Sequence, residues 1–480
     1  MSAIELLVAF APSDSDVDSI RAAAPLYSIV QQLNATSSSW SRMLPRKPPQ
    51  HRAKATSAAI VFCDAQHLET PDHWPQMLAS LRRRHPSTFV IALIPKLPNV
   101  AQPKLRLECF AAGARMVTTS DDISAIGVAL GRVARHISSS GIYTCSICHL
   151  PGLDEASLRE HTELAHQCEA NVSARCPICA THQKTLAYHL KNAHGPVETR
   201  EPPLAPYPAF AWCVVRRDED GKFLLVSEPA AISRGLPRYW LPAGRVDAGE
   251  TFGDAARREC LEEAGINVDV VGVLKILPEI DDGANGDSVP RCLRVALLCR
   301  PMATAGAPKA VPDWESCGAC WVGVDELAEL SDDAFRSPDP ATMYPQVARG
   351  ALTAASLQTD AWRALDAAVA QLTAAEPSGR QGLQRAWPQI QEAYVDKMAY
   401  QAGGAGQQGL PDEQGDHRVP RSQTRTARVR PVCTCPPHSS RPFQISDCPV
   451  PQFHARSHPP LKARENRDSR DSLPTPTTDL

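Results

Sequence analysis

The chain has no run of about 18 or more apolar residues, so no segment reads as a membrane-spanning helix. It has little net charge, −3 at pH 7, and no global excess of one sign directs it to nucleic acid or a membrane surface. The start, MSAIELLVAFAPSDSD, is acidic around a short apolar stretch, which argues against a secretory signal. A soluble, intracellular protein, cytoplasmic or nuclear and without a membrane partner, is the expectation. Aromatic residues are scarce at 5%, but cysteine is not: there are sixteen. Disulfides are not expected, because four of the cysteines form two CxxC pairs followed by histidines, the arrangement of metal ligands. Most others sit singly in apolar runs such as AIVFCD and RVALLCR and read as small buried hydrophobes.

With 480 residues the chain exceeds one core and predicts several domains. Over 1–140, IELLVAF, AAIVFCD, TFVIALIP and RMVTT read as parallel strands alternating with helical stretches, a doubly wound α/β pattern. A Ser/Pro/basic insertion from Ser37 to Ser57 reads as a loop. Residues 143–196 are rich in Cys and His and too short to fold on an apolar core alone. A Pro-rich linker covers 197–207. Residues 208–375 are strand-rich with one strong helix and a closing helix at AWRALDAAVAQLTAA. From 376 to 480, few aliphatic residues remain, and a mostly disordered tail is expected apart from a helix near Trp387–Ala399. Its stretch from His417 to Ser446 holds six arginines and no acid, which reads as a solvated charge run.

The strong helix lies in GRVDAGETFGDAARRECLEEAGI. Thr251 is placed to cap it with Asp254 in capping-box register, and Gly265 to end it in a left-handed turn. At 100° per residue Ala256, Cys260, Leu261 and Ala264 share an apolar face, while Glu259, Glu262 and Glu263 share the adjoining arc. Carboxylates at this spacing repel one another and call for a cation. Oxygen ligands without Cys or His favour Mg2+ or Mn2+, and such an ion both polarises a phosphoryl oxygen and acidifies a bound water.

Gly244, Glu250, Arg258, Glu259, Glu262, Glu263, Gly265 and Ile266 together resemble the Nudix hydrolase pattern. Seven fixed identities at one placement arise by chance on the order of once in a billion. Cys260 stands where the family usually has an aliphatic residue, and Ala243 where a second glycine is common. The resemblance covers about 205–375 and implies an α/β/α sandwich that cleaves a nucleoside diphosphate linked to another group. It implies Glu259, Glu262 and Glu263 as metal ligands, assisted by the Gly244 carbonyl. Arg258 would orient the glutamates, and Glu250 would hold the loop–helix junction. The general base stays open among Glu259, Glu279, Asp281, Asp282 and Glu315. FAWCVVRRDEDGKFLLVSEP reads as a hairpin turning at Asp-Gly; YWLPAG, VVGVLKILPEI, RCLRVALLCRP and GACWVGV supply strands, and a helix is expected near Asp325. Arg234, Arg238 and Trp240 are candidate contacts to phosphate or base, or ordinary packing. The Asp-x-Glu-Ser segment before the Trp is similar to that of family members acting on oxidised guanine nucleotides.

Cys145, Cys148, His161 and His166 have the spacing of a Cys/Cys/His/His zinc finger, and Cys176, Cys179, His189 and His194 repeat it with a shorter middle. Two structural Zn2+ ions in small ββα-type modules are therefore expected, each ion supplying folding energy. DNA-reading fingers usually present Arg, Lys, Asn or Gln at the helix start. The first module offers Asp154, Glu155 and Glu160, which repel phosphate; the second offers Lys184 and Lys191. A protein partner or pure scaffolding is favoured over nucleic acid.

The order of elements in 1–140 resembles receiver domains of response regulators, with Asp64 where a phosphoacceptor would lie. The acidic pair is missing after the first strand, where Asp14 comes late between Ser13 and Ser15, and the Thr/Ser and Lys positions are unmatched. A degenerate flavodoxin/receiver-like interaction module is expected. Two functions are open: a metal-dependent pyrophosphohydrolase on a nucleotide-type substrate, recruited by its fingers, or a nucleotide-binding scaffold without turnover.

Overall fold

The computed structural model describes residues 4–9, 18–20, 22, 27–33, 56–62, 73–84, 86–94, 102–119, 121–169, 173–200, 203–230, 235–279 and 290–392. Asp14, Asp64, Arg234, Asp281, Asp282, most of the Ser37–Ser57 insertion and the tail from 393 lie outside them. Everything described belongs to one compact unit spanning Met1–Gly409.

The N-terminal part is a five-stranded parallel sheet built from β1 (Ile4–Ala9), β2 (Tyr27–Leu33), β3 (Thr56–Phe62), β4 (Phe89–Ile94) and β5 (Met116–Thr119). Its order, β2-β1-β3-β4-β5, is that of the flavodoxin-like doubly wound folds. β4 is buried at every position, as expected for FVIALI in a parallel sheet covered on both faces. Helices α1 (His73–Arg84), α2 (Gln102–Ala112) and α3 (Ile123–Ser138) accompany it. YSIVQQL, not expected as a strand, pairs along β1.

The Cys/His region follows. Helix α4 (Glu155–His166) starts on Asp154, whose side chain accepts from Ser157 N. A two-residue ladder, β6 (Ala174–Arg175) with β7 (His182–Gln183), precedes α5 (Leu186–His189), which continues as a π-turn over Leu190–His194. The first module is docked rather than free. Leu164, Ala165 and Cys168 enter the core of the N-terminal domain, together with Ala310 and Cys317 from the C-terminal part. Glu160 meets Arg132, Arg135 and His136 of α3.

The C-terminal part holds two sheets. One has the order β11 (Ala243–Arg245), β8 (Ala209–Val215), β13 (Cys292–Pro301), β12 (Val268–Glu279); the other has β10 (Arg238–Trp240), β9 (Phe223–Glu228), β14 (Ala319–Val322). Strand alternation serves two cores. Ala209, Ala211, Cys213 and Val215 face α6 (Phe252–Ala264), α9 (Asp360–Thr373) and α10 (Pro377–Ile390). Trp212 and Val214 face the opposite layer, with α7 (Val324–Ala328) and α8 (Asp339–Ala348). The result is helix, sheets, helix.

Two expectations need correction. β8 and β9 do not form a continuous hairpin: next to the turn they share the Arg217 N–Lys222 O bond and the Arg216–Phe223 bridge, and then they enter different sheets. The Asp220-Gly221 turn itself is present, with Gly221 at φ +70°. Leu261 does not share the buried face of α6; it is 49% exposed, while Ala256, Cys260 and Ala264 are fully buried. The packed chain also runs past 375, since Leu383, Trp387 and Ile390 of α10 are buried against α9 and the sheet.

Candidate active site

The site is assembled where β11 delivers the chain to α6. Thr251 caps the helix by accepting from Asp254 N at 3.1 Å, and the Asp254 carboxylate accepts from Thr251 in return. Gly265 closes it at φ +70°, a left-handed conformation that costs glycine little. Replacing Thr251 with Ala should cost about 1 kcal/mol, read as a lower urea midpoint with an unchanged slope.

Arg258 is the organiser. It binds Glu250 in a fork, Nε to Oε1 at 2.8 Å and Nη2 to Oε2 at 2.9 Å. Its Nη1 donates to Glu259 at 2.7 Å and Glu262 at 3.1 Å, and Nη2 donates to the Arg245 carbonyl at 2.7 Å. Burial opposes its charge, but the bonds to Glu250 and the fields of Glu259, Glu250 and Asp247 prevail and hold the guanidinium above its usual range. Glu250 also accepts from Asp247 N at 2.9 Å, tying the loop to the helix start.

Four acids, Glu259, Glu262, Glu263 and Glu315, crowd together beside this arrangement, and of them only Glu262 is exposed. Burial, together with Glu262, lifts the Glu259 carboxyl to about 7 despite Arg258. Burial and then Glu259 and Glu228 push Glu263 well above the carboxylate range, although Ala243 N donates to it at 2.9 Å. Burial and Glu262 raise Glu315 to about 9. Clustered carboxylates that raise one another fit a divalent cation held by hard oxygens. Glu259 and Glu262 turn toward Arg258, and the three carboxylates of α6 are not among the groups of described residues whose ligand atoms converge within 4.8 Å.

Gly244 lies under the Glu259 carboxylate, and a Cβ there would overlap it. Gly244→Ala should displace Glu259 and lower turnover, at a stability cost of about 1–3 kcal/mol, separable by comparing activity with urea unfolding.

Of the candidate bases, Glu279 is engaged by Arg291 and Arg294, whereas Glu315 feels Glu262 and Glu259 directly. Arg238 is half-buried at the start of β10. Trp240 is 92% buried beside Trp212, its ring covered by Arg336 at 4.2 Å, so the structure uses it for packing. Sequence reasoning missed Ser316, whose hydroxyl donates to the Glu263 carbonyl at 2.6 Å, and Lys309, whose ammonium donates to the Glu262 carbonyl at 2.6 Å. It also missed Glu228, buried with Arg336 at 2.6 Å. Ser316 ends the Asp-x-Glu-Ser segment but had no role assigned, and no spacing pattern marks Lys309 or Glu228, which come from a distant loop and strand.

Both Cys/His quartets converge, each with its four ligand atoms within 4.8 Å of one another, and they are the groups of this kind among the described residues. In the first, Cys148–His161 is 3.2 Å, Cys145–His166 3.4 Å and His161–His166 3.3 Å. In the second, Cys179–His189 is 3.3 Å, Cys176–His194 3.6 Å and His189–His194 3.2 Å. Tetrahedral Zn2+ with ordinary Zn–S and Zn–N bonds separates such atoms by about 3.3–3.8 Å, so both donor sets fit the ion. Nδ1 of His166 lies 3.1 Å from the Glu169 carboxylate, which orients the ring. Glu169 is held in turn by Arg115 and Arg82.

This architecture has known relatives. The NUDIX domain model matches residues 207–345. Among curated proteins, the chain is 35% identical over 155 residues to "Putative nudix hydrolase 1" of Caenorhabditis elegans, covering 29% of this chain and 39% of that one. It is 29% identical over 133 residues to the human 8-oxo-dGDP phosphatase NUDT18, covering 27% and 38%. The matches thus span under two-fifths of those relatives. Among solved structures, a NUDIX hydrolase from Nitrosomonas europaea aligns at 22% identity over 32% of this chain and 96% of its own, with a TM-score of 0.25. A MutT protein from Methanosarcina mazei Go1 aligns at 16% identity over 31% and 97%, with a TM-score of 0.23.

Proposed function

We propose that the C-terminal part hydrolyses a diphosphate linkage in a nucleotide-type substrate, using Mg2+ or Mn2+ held by Glu259, Glu262, Glu263 and the Gly244 carbonyl. The observation that carries this reading is the set of mutually repelling acids on α6, fixed from behind by the Glu250–Arg258 fork. A divalent ion there would polarise a phosphoryl oxygen and acidify a water. The protein's own part is positional. Arg258 holds Glu259 and Glu262 on one face, Ala243 N holds Glu263, and Gly244 leaves room for them. Glu279 is committed to two arginines, and Glu315, whose burial and neighbour Glu262 raise its carboxyl to about 9, would take a proton from the attacking water only with a bound divalent ion offsetting that field.

Two structural zinc ions in the Cys/His modules complete this reading, with Cys145, Cys148, His161 and His166 holding one and Cys176, Cys179, His189 and His194 the other. The first module then acts as scaffold, because its helix is occupied by the N-terminal domain. For the N-terminal sheet we keep a non-signalling, receiver-like role. The curated phosphatase relative makes 8-oxo-dGDP the first compound to try, beside nucleoside diphosphate sugars and dinucleoside polyphosphates. The test is release of nucleoside monophosphate or inorganic phosphate by the full chain, with Mg2+ and with the metal chelated. Turnover that is indifferent to the metal would refute the assignment.

A further inference from the structure

The second Cys/His module reaches the hydrolase site. Its Lys191, in the turn between ligands His189 and His194, sets Nζ 2.8 Å from the centre of the Trp314 ring. Trp314 belongs to the segment Asp313–Ser316, which is built onto the end of α6. The Asp313 carboxylate accepts from Glu315 N at 2.9 Å and Ser316 N at 3.2 Å, and Lys309 holds it at 2.6 Å. Ser316 then bonds the Glu263 carbonyl. Glu315, the next residue after Trp314, faces Glu262, Glu259 and Asp313 as like charges and Lys191 as an opposite one. From the first module, Glu163 faces Asp313, Lys191, Arg132 and Arg159, and Arg159 donates to the His194 carbonyl at 3.2 Å. The two modules and the loop therefore form one charged seam beside the catalytic carboxylates.

We propose that the second Cys/His module is a working part of the hydrolase site, with Lys191 as a positioning residue that clamps the Asp313–Ser316 loop through Trp314 and so sets Glu315 against the carboxylates of α6. This rests on the hydrolase reading above. An ammonium on an indole face is held by the ring's quadrupole, and here that contact joins residues on separate elements. Metal loading of the module, which shapes the turn carrying Lys191, is thereby linked to turnover. Cys179 is exposed, so the module's ligand set is open to chelators and oxidants from solvent.

The test uses the full chain and its Lys191→Ala, Lys191→Arg, Trp314→Leu and doubly substituted forms. Lys191→Ala should lower kcat about three- to thirty-fold with a small change in KM, the range a cation–π contact supplies. Lys191→Arg should recover most of it, and the double variant should lose no more than either single one. Hydrogen–deuterium exchange at 313–318 should rise in both Lys191→Ala and Trp314→Leu with zinc content unchanged. Wild-type kcat and unchanged exchange in these variants would overturn the clamp. If Lys191→Ala also loses zinc, Trp314→Leu decides, because it leaves all eight ligands intact. If the unsubstituted chain turns over no diphosphate, the hydrolase reading fails and the exchange data alone judge the clamp.

Discussion

Glu263→Gln should reduce metal-dependent hydrolysis by about 10²–10⁴-fold while leaving the fold intact. The size follows from removing one ligand charge from a metal worth several kcal/mol at the transition state, at about 1.4 kcal/mol per decade. The fold should survive because the amide has the carboxylate's shape and keeps an oxygen for the Ala243 N–H. It also relieves a buried acid that Glu259 and Glu228 already oppose. The melting temperature should hold or rise as activity falls, a combination that general damage to the domain cannot give. Turnover at the unsubstituted rate would show that Glu263 holds no catalytic ion.

Cys145→Ser should have the largest effect on stability. Cys145 is buried with Cys148, His161 and His166, and a structural zinc contributes about 10–16 kcal/mol in isolated modules. Here the module is fused to a larger core through Leu164, Ala165 and Cys168. Behind His166 stand Glu169 and the buried Arg115, whose pairing loses its anchor if the ring moves. Zinc content should fall from two ions per chain to one, and the melting temperature by about 10 °C or more. Cys179→Ser, at the one exposed ligand position of the second quartet, should cost less stability, with its effect falling on kcat through Lys191. Equal stability losses from the two substitutions would contradict the difference in docking.

What the sequence revealed depended on how local the cause was. The Thr251 cap, the Gly265 stop and the convergence of each Cys/His quartet were all readable, because each is set by residues within one or two turns or by ligand spacing. Strand alternation also survived, since β8 and β13 must feed cores on both faces. Partnerships between elements were not readable. The Asp220-Gly221 turn predicted a hairpin, but the strands it joins leave for different sheets after one bridge. YSIVQQL, interrupted by Ser and two Gln, showed no clean period, yet β1 recruits it. Helix α10 contains Gly379, Gly382 and Pro388, poor helix formers; packing against α9 overrides that propensity, with Gly379 seated on the Leu372 backbone. Leu261 lay at the edge of a helical face whose width only the neighbouring strands could set. Within the site, α6 and Glu315 as a candidate base were legible, and Ser316 and Lys309 as partners of the α6 carbonyls were not. The approach of Lys191 to Trp314 joins two domains far apart in the chain and left no periodic trace.

Metal-dependent attack of water on a phosphorus atom at this site is tested most directly by hydrolysis in 18O-labelled water. With 8-oxo-dGDP and the wider diphosphate panel, the zinc-loaded chain plus Mg2+ should place one labelled oxygen in a phosphate-bearing product and none when Mg2+ is chelated. Label incorporated equally without the divalent ion, or no turnover of any diphosphate by a chain that binds Mg2+ and both zinc ions, would contradict it.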